Sequence, residues 1–478
     1  MAGRVLSVAS ECVPLVKTGG LADVVGALPG ALAPLGWQMR VLIPAYPGVL
    51  AQLGAAREVW AEADLFGGAA RVLLGQAGGF EVMALDAPHL FARAGGPYSD
   101  AGGDFGDNAE RFAALSWVAG ELARAGDAEG WRPDIVHAHD WQGGLAPAYL
   151  RYRGIAVPSV MTVHNMAFQG VTGPERLAAL RLPPEALTRE GVEYWGSISA
   201  LKAGLTGADA ITTVSPRYAD ELMRPEFGLG LEGVIAARAG VVQGILNGID
   251  TGIWHPATDP AIAPYSGRAL AGKAVNRARL EAEFGLAEVA GPLAIIVSRL
   301  THQKGIDLVP DGVAEFLAGG GGLCVLGAGE PWAEDAMRGL VARYPGRVGL
   351  RLGYDEALSH RMFAGGDAVL VPSRFEPCGL TQMMGLAYGC VPVVAAVGGL
   401  ADAVIGASPA SLAAGAATGV VFHPVDALAL AQALRKLAAL FADRAQWVAV
   451  QRRGMKADFG WSASAARYGA LYEGLLRG

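Results

Sequence analysis

Residues 5–35 read VLSVASECVPLVKTGGLADVVGALPGALAPL. Val5 to Ala9 is a short apolar run of strand length, and Lys17-Thr18-Gly19-Gly20 is a turn. Beyond Leu21, the residues Val24, Val25, Leu28, Leu32 and Leu35 fall at spacings of three, four, seven, eleven and fourteen, which is one helical face. Strand, glycine turn and helix in this order make a βα unit that can bind a ligand. Backbone N–H groups at the helix start attract anions, glycine lets a phosphate approach, and Lys17 adds a full charge. An ordinary glycine turn with a solvated lysine has the same spelling, so the rest of the chain must decide.

The same grammar recurs outward from this segment. Apolar runs at Val41–Ile43, Ile135–Ala138, Ser159–Val163, Ala210–Val214, Ala294–Val297, Leu323–Leu326, Ala368–Val371 and Val391–Ala395 stand before Gly-rich turns and helix-period segments. Continuous apolar strands alternating with helices make parallel sheets covered on both faces, so the class is α/β. Asn247-Gly248-Ile249-Asp250 through His255-Pro256 and Asp259-Pro260 is turn-forming and non-periodic, which divides the chain into 1–247 and 248–460. From Trp461, an amphipathic helix over 461–478 carries Ala465, Tyr468, Leu471, Tyr472 and Leu475 on one face and needs a partner surface.

The 478 residues carry 38 Lys and Arg against 45 Asp and Glu, a net charge of −7, which disfavours a nucleic-acid binder. No apolar run reaches the ~18 residues that span a bilayer, and the stretch at Met1–Ser10 is too short for a signal-peptide core. The four cysteines, Cys12, Cys324, Cys378 and Cys390, form no C-x-x-C pair. A reduced, cytoplasmic protein without structural zinc, binding neither nucleic acid nor membrane, is expected.

Three further constellations bear chemistry. Ser298-Arg299-Leu300 ends an apolar run and Gln303-Lys304-Gly305 follows, which places two cations on one βα loop, where open α/β sheets bind ligands. They suit a diphosphate; two surface cations are the plain alternative. Val371 to Gln382 gives a strand, a tight turn with Glu376 and Cys378, and a helix start at Gly379-Leu380-Thr381 that suits an anion. A capping carboxylate and a small buried thiol are the plain readings there. His137-Ala138-His139-Asp140 follows a strand, so both imidazoles share a face, as in a metal-binding H-x-H. A metal-dependent hydrolase using His137 and His139 is therefore a rival, although the other six histidines show no paired ligand spacing.

Taken in order, Lys17 to Val24, Gly96-Pro97-Tyr98, Asp107-Asn108 with Arg111-Phe112, His137 to Trp141, and Thr162 to Asn165 resemble bacterial glycogen synthases, ADP-glucose-using relatives of plant starch synthases. Asn247 to Asp250, Arg299 to Thr301 with Gln303 to Gly305, Gly327 to Glu330 and Glu376 to Gln382 carry the resemblance through the second half. It implies a GT-B architecture of two facing Rossmann-like domains with an interdomain cleft: acceptor glucan on the first, donor mainly on the second, the terminal helix crossing back. The implied reaction moves glucose from ADP-glucose to the non-reducing 4-hydroxyl of an α-1,4-glucan with retention, with no cofactor and no metal. Arg299 and Lys304 would hold the distal phosphate, with Lys17 and the Gly19 and Gly20 amides beside them. His164 and Asp140 would face the glucose, and Glu376 would orient it or steady its positive charge. Asn247 and Tyr98 would line the cleft, Tyr354 would stack on adenine, and Cys378, Gly379, Leu380 and Thr381 would complete the substrate site.

Two positions depart from the pattern. Met384 stands where many enzymes of this fold have a ribose-binding Glu. Ala395-Ala396-Val397 replaces a polar stretch ending in Thr, which leaves the amides of Gly398 and Gly399 for a phosphate and opens the choice between ADP-glucose and UDP-glucose. A catalytically silent glucan-binding protein on the same fold would be favoured by loss of Lys17, His164, Arg299, Lys304 or Glu376; all five are present.

Overall fold

The computed structural model describes residues 3–287 and 289–477, and the chain divides into two compact units, Met1–Ile245 with Trp461–Gly478, and Leu246–Gly460. The first is built on one nine-stranded sheet. Its strands run in the order Val242–Gly244, Ala210–Thr213, Ser159–Val163, Ile135–His139, Gly3–Val8, Trp37–Pro44, Phe80–Asp86, Ala70–Ala77 and Gly54–Glu62. Seven are parallel, and the last two form an antiparallel meander on the Phe80–Asp86 edge. Every residue of Ile135–His139 and Ser159–Val163 is buried, as a strand covered on both faces must be. The meander escapes sequence patterning, because Gly54–Glu62 is mostly exposed and breaks register with its neighbour.

The first helix, Gly20–Leu32, buries Leu21, Val24, Val25, Leu28 and Leu32. It stops there because Ala33–Leu35 tightens into a 3-10 turn closed by Gly36 at φ 85°. Leu35, placed on the helix face by its spacing, lies in that turn and is exposed. The final helix, Trp461–Arg477, packs Ala465, Tyr468 and Tyr472 against Val24, Leu28, Leu32 and Trp37, with Leu471 and Leu475 at the margin. The rings of Trp37 and Tyr472 meet edge to face at 5.2 Å.

The second unit holds six parallel strands in the order Val348–Leu352, Gly322–Gly327, Leu293–Val297, Ala368–Val371, Val391–Ala395 and Val420–Phe422. Counted along the chain this is 3-2-1-4-5-6, the doubly wound order, and successive connections diverge between Leu293–Val297 and Ala368–Val371. In the first unit the divergence lies between Gly3–Val8 and Ile135–His139. The crevice beyond the strand ends at such a point is where this architecture takes ligands. No helix of the described residues is long and apolar enough to cross a membrane.

Candidate active site

In the first unit, the loop after Gly3–Val8 carries Glu11, which is only 3% exposed. Its carboxylate accepts hydrogen bonds from the amide of Thr18, from Thr18 Oγ1 at 2.5 Å and from the amide of Gly19 at 3.2 Å. The Tyr98 hydroxyl also bonds Glu11 and meets Ser10 Oγ at 2.7 Å. Burial, then the Glu11 charge, raises the Tyr98 pKa. The Gly19 amide expected to meet a phosphate is therefore taken by an internal carboxylate. The physical reason is that a helix start attracts any anion, and Glu11 sits on the same loop. Lys17 Nζ pairs with Asp23 Oδ1 at 2.8 Å on the surface, a contact weak enough to exchange for a ligand.

Asp140 opens the turn after Ile135–His139 with φ 49°. Its Oδ1 accepts from the amides of His164 at 2.7 Å and Asn165 at 3.3 Å. Burial raises its pKa to about 7, against the lowering effect of those two amides, and the Glu11 charge pushes the same way as burial. His164 Nε2 lies 3.0 Å from His139 Nδ1, and His139 Nε2 lies 3.1 Å from Ser7 Oγ. His137 meets the Tyr472 hydroxyl at 2.7 Å through Nδ1 and Thr162 Oγ1 at 2.6 Å through Nε2. Both nitrogens of His137 and of His139 are thus engaged by the protein, which overturns their reading as a metal-ligand pair. Burial lowers the pKa of His137 and of His164 to about 3 and that of His139 well below the usual value, so all three rings are neutral at pH 7.

In the second unit the two loops at the divergence point are laced together. Gln303 Nε2 donates to the Phe375 carbonyl at 3.2 Å, and the Arg374 amide donates to the Gln303 carbonyl at 2.9 Å. Gly305, at φ 69°, lets the loop pass so close that an added Cβ would stand 2.0 Å from the Pro372 carbonyl oxygen. This lacing brings Lys304 Nζ to 2.5 Å from Glu376 Oε2, with Ser373 Oγ donating to the same oxygen at 3.0 Å. Arg299, on the same loop as Lys304, is exposed and has no side-chain partner among the described residues. Cys378 is buried beside Asn247, and its pKa rises to about 12, chiefly from desolvation, which makes it a thiol and no nucleophile. Asn247 Oδ1 is buried without a partner among the described residues, an acceptor that a substrate hydroxyl could satisfy.

Gly379 takes φ 70°, Leu380 precedes the helix, and Thr381 begins the seven-residue helix Thr381–Ala387. Tyr354 follows the end of Val348–Leu352 with its ring largely exposed and its hydroxyl 3.1 Å from Glu356. The amide of Gly399 donates to the carbonyls of Glu376 and Pro377 at 3.2 Å each. It is therefore closed to the phosphate role read from the sequence. Within each unit the sequence-selected residues thus gather at the strand ends: Gly19 and Tyr98 on Glu11, with Lys17 and Gly20 on the same turn, Asp140 with His164, and Lys304 with Glu376. Sequence reasoning missed Glu11, Asp23, Ser373 and the service of His139 to His164.

Residues 4–237 match a family described as the starch synthase catalytic domain, and residues 291–439 match the glycosyl transferases group 1. The chain is 62% identical over 475 residues to a glycogen synthase of Cereibacter sphaeroides, and 52% identical over 476 residues to one of Rhizobium rhizogenes, each match covering 99% of both chains. The solved catalytic domain of starch synthase IV from Arabidopsis thaliana, bound to ADP and acarbose, is similar at TM-score 0.89 and 30% identity over 100% of both chains. Sucrose-phosphate synthase from Thermosynechococcus elongatus shares the fold at TM-score 0.62 and 21% identity over 99% of each.

Proposed function

The chain belongs to the glycogen synthase family of glycosyltransferases, and from that premise we propose that it transfers glucose from ADP-glucose to the non-reducing 4-hydroxyl of an α-1,4-glucan, with retention and release of ADP. The observation that carries the reading is the Lys304–Glu376 pair at 2.5 Å on the laced loops of the second unit. Breaking the bond between glucose C1 and the phosphate oxygen leaves positive charge on the sugar and negative charge on ADP. A cation and an anion side by side at a strand-end crevice answer both.

In this reading Lys304 and Arg299 stabilise the departing diphosphate and Glu376 faces the sugar. Lys17 adds charge, Asn247 Oδ1 takes a sugar hydroxyl, the Cys378–Thr381 turn lies along the donor, and Tyr354 stacks on the adenine. Asp140 and His164 face the glucose, while Tyr98 acts by holding Glu11 and the turn at Gly19 and Gly20. The first unit receives the glucan and the second the donor. The two-carboxylate scheme of retaining glycosidases needs a nucleophile about 5 Å from its acid partner. Glu376 instead has Lys304 and Ser373 as its partners, so the leaving phosphate takes the acceptor proton on the same face of the sugar. Protein cations do the work of a divalent ion, and four free thiols suit a cytoplasmic setting.

The test is incubation of the purified protein with glycogen and either ADP-glucose or UDP-glucose, without added metal, scoring nucleotide release and chain extension. ADP release with extension is expected. Glycogen binding without nucleotide release from either donor would replace this reading with that of a silent glucan-binding protein.

A further inference from the structure

The reaction as proposed uses neither ring of His137-Ala138-His139, yet one of them points a proton at the site. Ser7 is fully buried, and among the described residues its hydroxyl meets one partner, His139 Nε2, at 3.1 Å. If His139 Nε2 carried a proton, the Ser7 hydroxyl hydrogen would be left buried without an acceptor, which folded proteins avoid. Ser7 therefore donates, and His139 Nε2 is bare. A neutral imidazole holds one proton, so that of His139 is on Nδ1, aimed at His164 Nε2 at 3.0 Å. His164 Nε2 is then the acceptor, and the proton of its own neutral ring sits on Nδ1, which meets no partner among the described residues.

We propose that His139 is a positioning residue: the directed chain from Ser7 Oγ–H through His139 Nδ1–H locks His164 as its Nδ1–H tautomer, so that His164 offers a hydrogen-bond donor to a hydroxyl oxygen of the hexose. This inference rests on the reading that His164 faces the glucose. The chain of hydrogen bonds stands on neighbouring parallel strands, with Ser7 beside His137 and His139 beside Thr162 in register, so strand pairing itself sets the distances. Burial keeps His139 and His164 neutral, which is the condition for a single proton between them.

Selective 15N-histidine labelling of the full chain, read by long-range 1H–15N correlation, reports the tautomer without any turnover. The Nδ1–H form of His164 is expected in the unmodified protein. In His139→Leu, kcat for glucose transfer should fall on the order of 10- to 100-fold while KM for ADP-glucose stays within about threefold, because the chemistry and not donor binding loses its orientation. His139→Asn, whose side-chain amide can donate from the place of Nδ1, should recover to within about fivefold of the unmodified rate. Ser7→Ala, a change small enough to spare the fold, should mix the two tautomers of His164 and lower kcat about three- to tenfold. An Nε2–H His164 in the unmodified protein, an undiminished kcat in His139→Leu, or an Asn variant no better than Leu would each overturn the proposal. Absence of any glucose transfer by the unmodified protein would instead sink the proposed reaction, with the tautomer still judged by the spectrum.

Discussion

Lys304 and Glu376 hold each other at 2.5 Å with both side chains mostly buried, so changing either one changes both. Lys304→Ala should lose about 10²- to 10³-fold in kcat, the scale of one electrostatic contact to a transition state. It should also cost about 3 kcal/mol of stability in urea, because it leaves the Glu376 carboxylate without its cation. The double variant with Glu376→Gln should regain the stability and none of the rate; recovery of both would remove Lys304 from the phosphate. Asp140 answers to pH. Its raised pKa of about 7 means that the carboxylate able to accept from sugar hydroxyls forms only as pH rises through neutrality. The transfer rate should climb across that range, and Asp140→Asn should be slower by roughly 10- to 100-fold, the worth of one hydrogen bond to a charged group, with the climb gone. The residue types at these positions are legible in the sequence because charge beside glycine at a strand end is rare and chemically pointed. Glu11 is not, since its partners come from Thr18, Gly19 and Tyr98, and nothing in its neighbours marks it as buried. The His139–His164 contact is equally hidden, joining two strands whose pairing only the fold supplies.

The continuous apolar strands, buried on both faces, were legible as elements for the same reason that they are central. The edge strands Gly54–Glu62 and Val348–Leu352 were not, because edge position leaves most of the first and the last two residues of the second exposed, which dilutes the apolar run. Loops show a further limit: Gly305 looks like any turn glycine, yet it is the point at which one loop passes under the Pro372 carbonyl. Gly305→Ala must hold a left-handed conformation, at a cost of about 1–2 kcal/mol, and also push the loop away from Pro372, whose carbonyl oxygen the new Cβ would otherwise meet at 2.0 Å. It should therefore lower the unfolding midpoint and raise KM for ADP-glucose together; an unchanged KM would show that the lacing does not position Lys304.

At the scale of the whole chain, four buried groups of the first unit contribute strongly to the response to acid. Unfolded, each of His137, His139 and His164 takes up a proton near pH 6.5, whereas folded His137 and His164 wait until about 3 and His139 until well below its usual value. The stability they confer is complete above pH 6.5 and drains away as pH falls toward 3. Asp140 opposes them, since its folded pKa of about 7 exceeds its ordinary 3.8 and acid favours its folded form across that interval. From His137, His164 and Asp140 the unfolded chain binds about one more proton between pH 4 and 6, so unfolding free energy should drop by about 1.4 kcal/mol for each pH unit of acidification there, and His139 acts in the same direction as the other two histidines. Urea midpoints measured against pH check this, and a flat curve would contradict the burial of the histidines. The docking of Trp461–Arg477 onto Val24, Leu28, Leu32 and Trp37 reaches beyond the finished molecule. A ribosome delivers the lining of that seat first and its cover last, with roughly 200 residues of another unit between them; at about 5–20 residues per second the nascent chain carries a greasy, unsealed flank for on the order of ten to forty seconds. Messages truncated after the codon for Gly460 should thus yield products that chaperones and proteases recognise, and a chain ending at Gly460 should light up a hydrophobic dye that the chain carrying Trp461–Arg477 ignores.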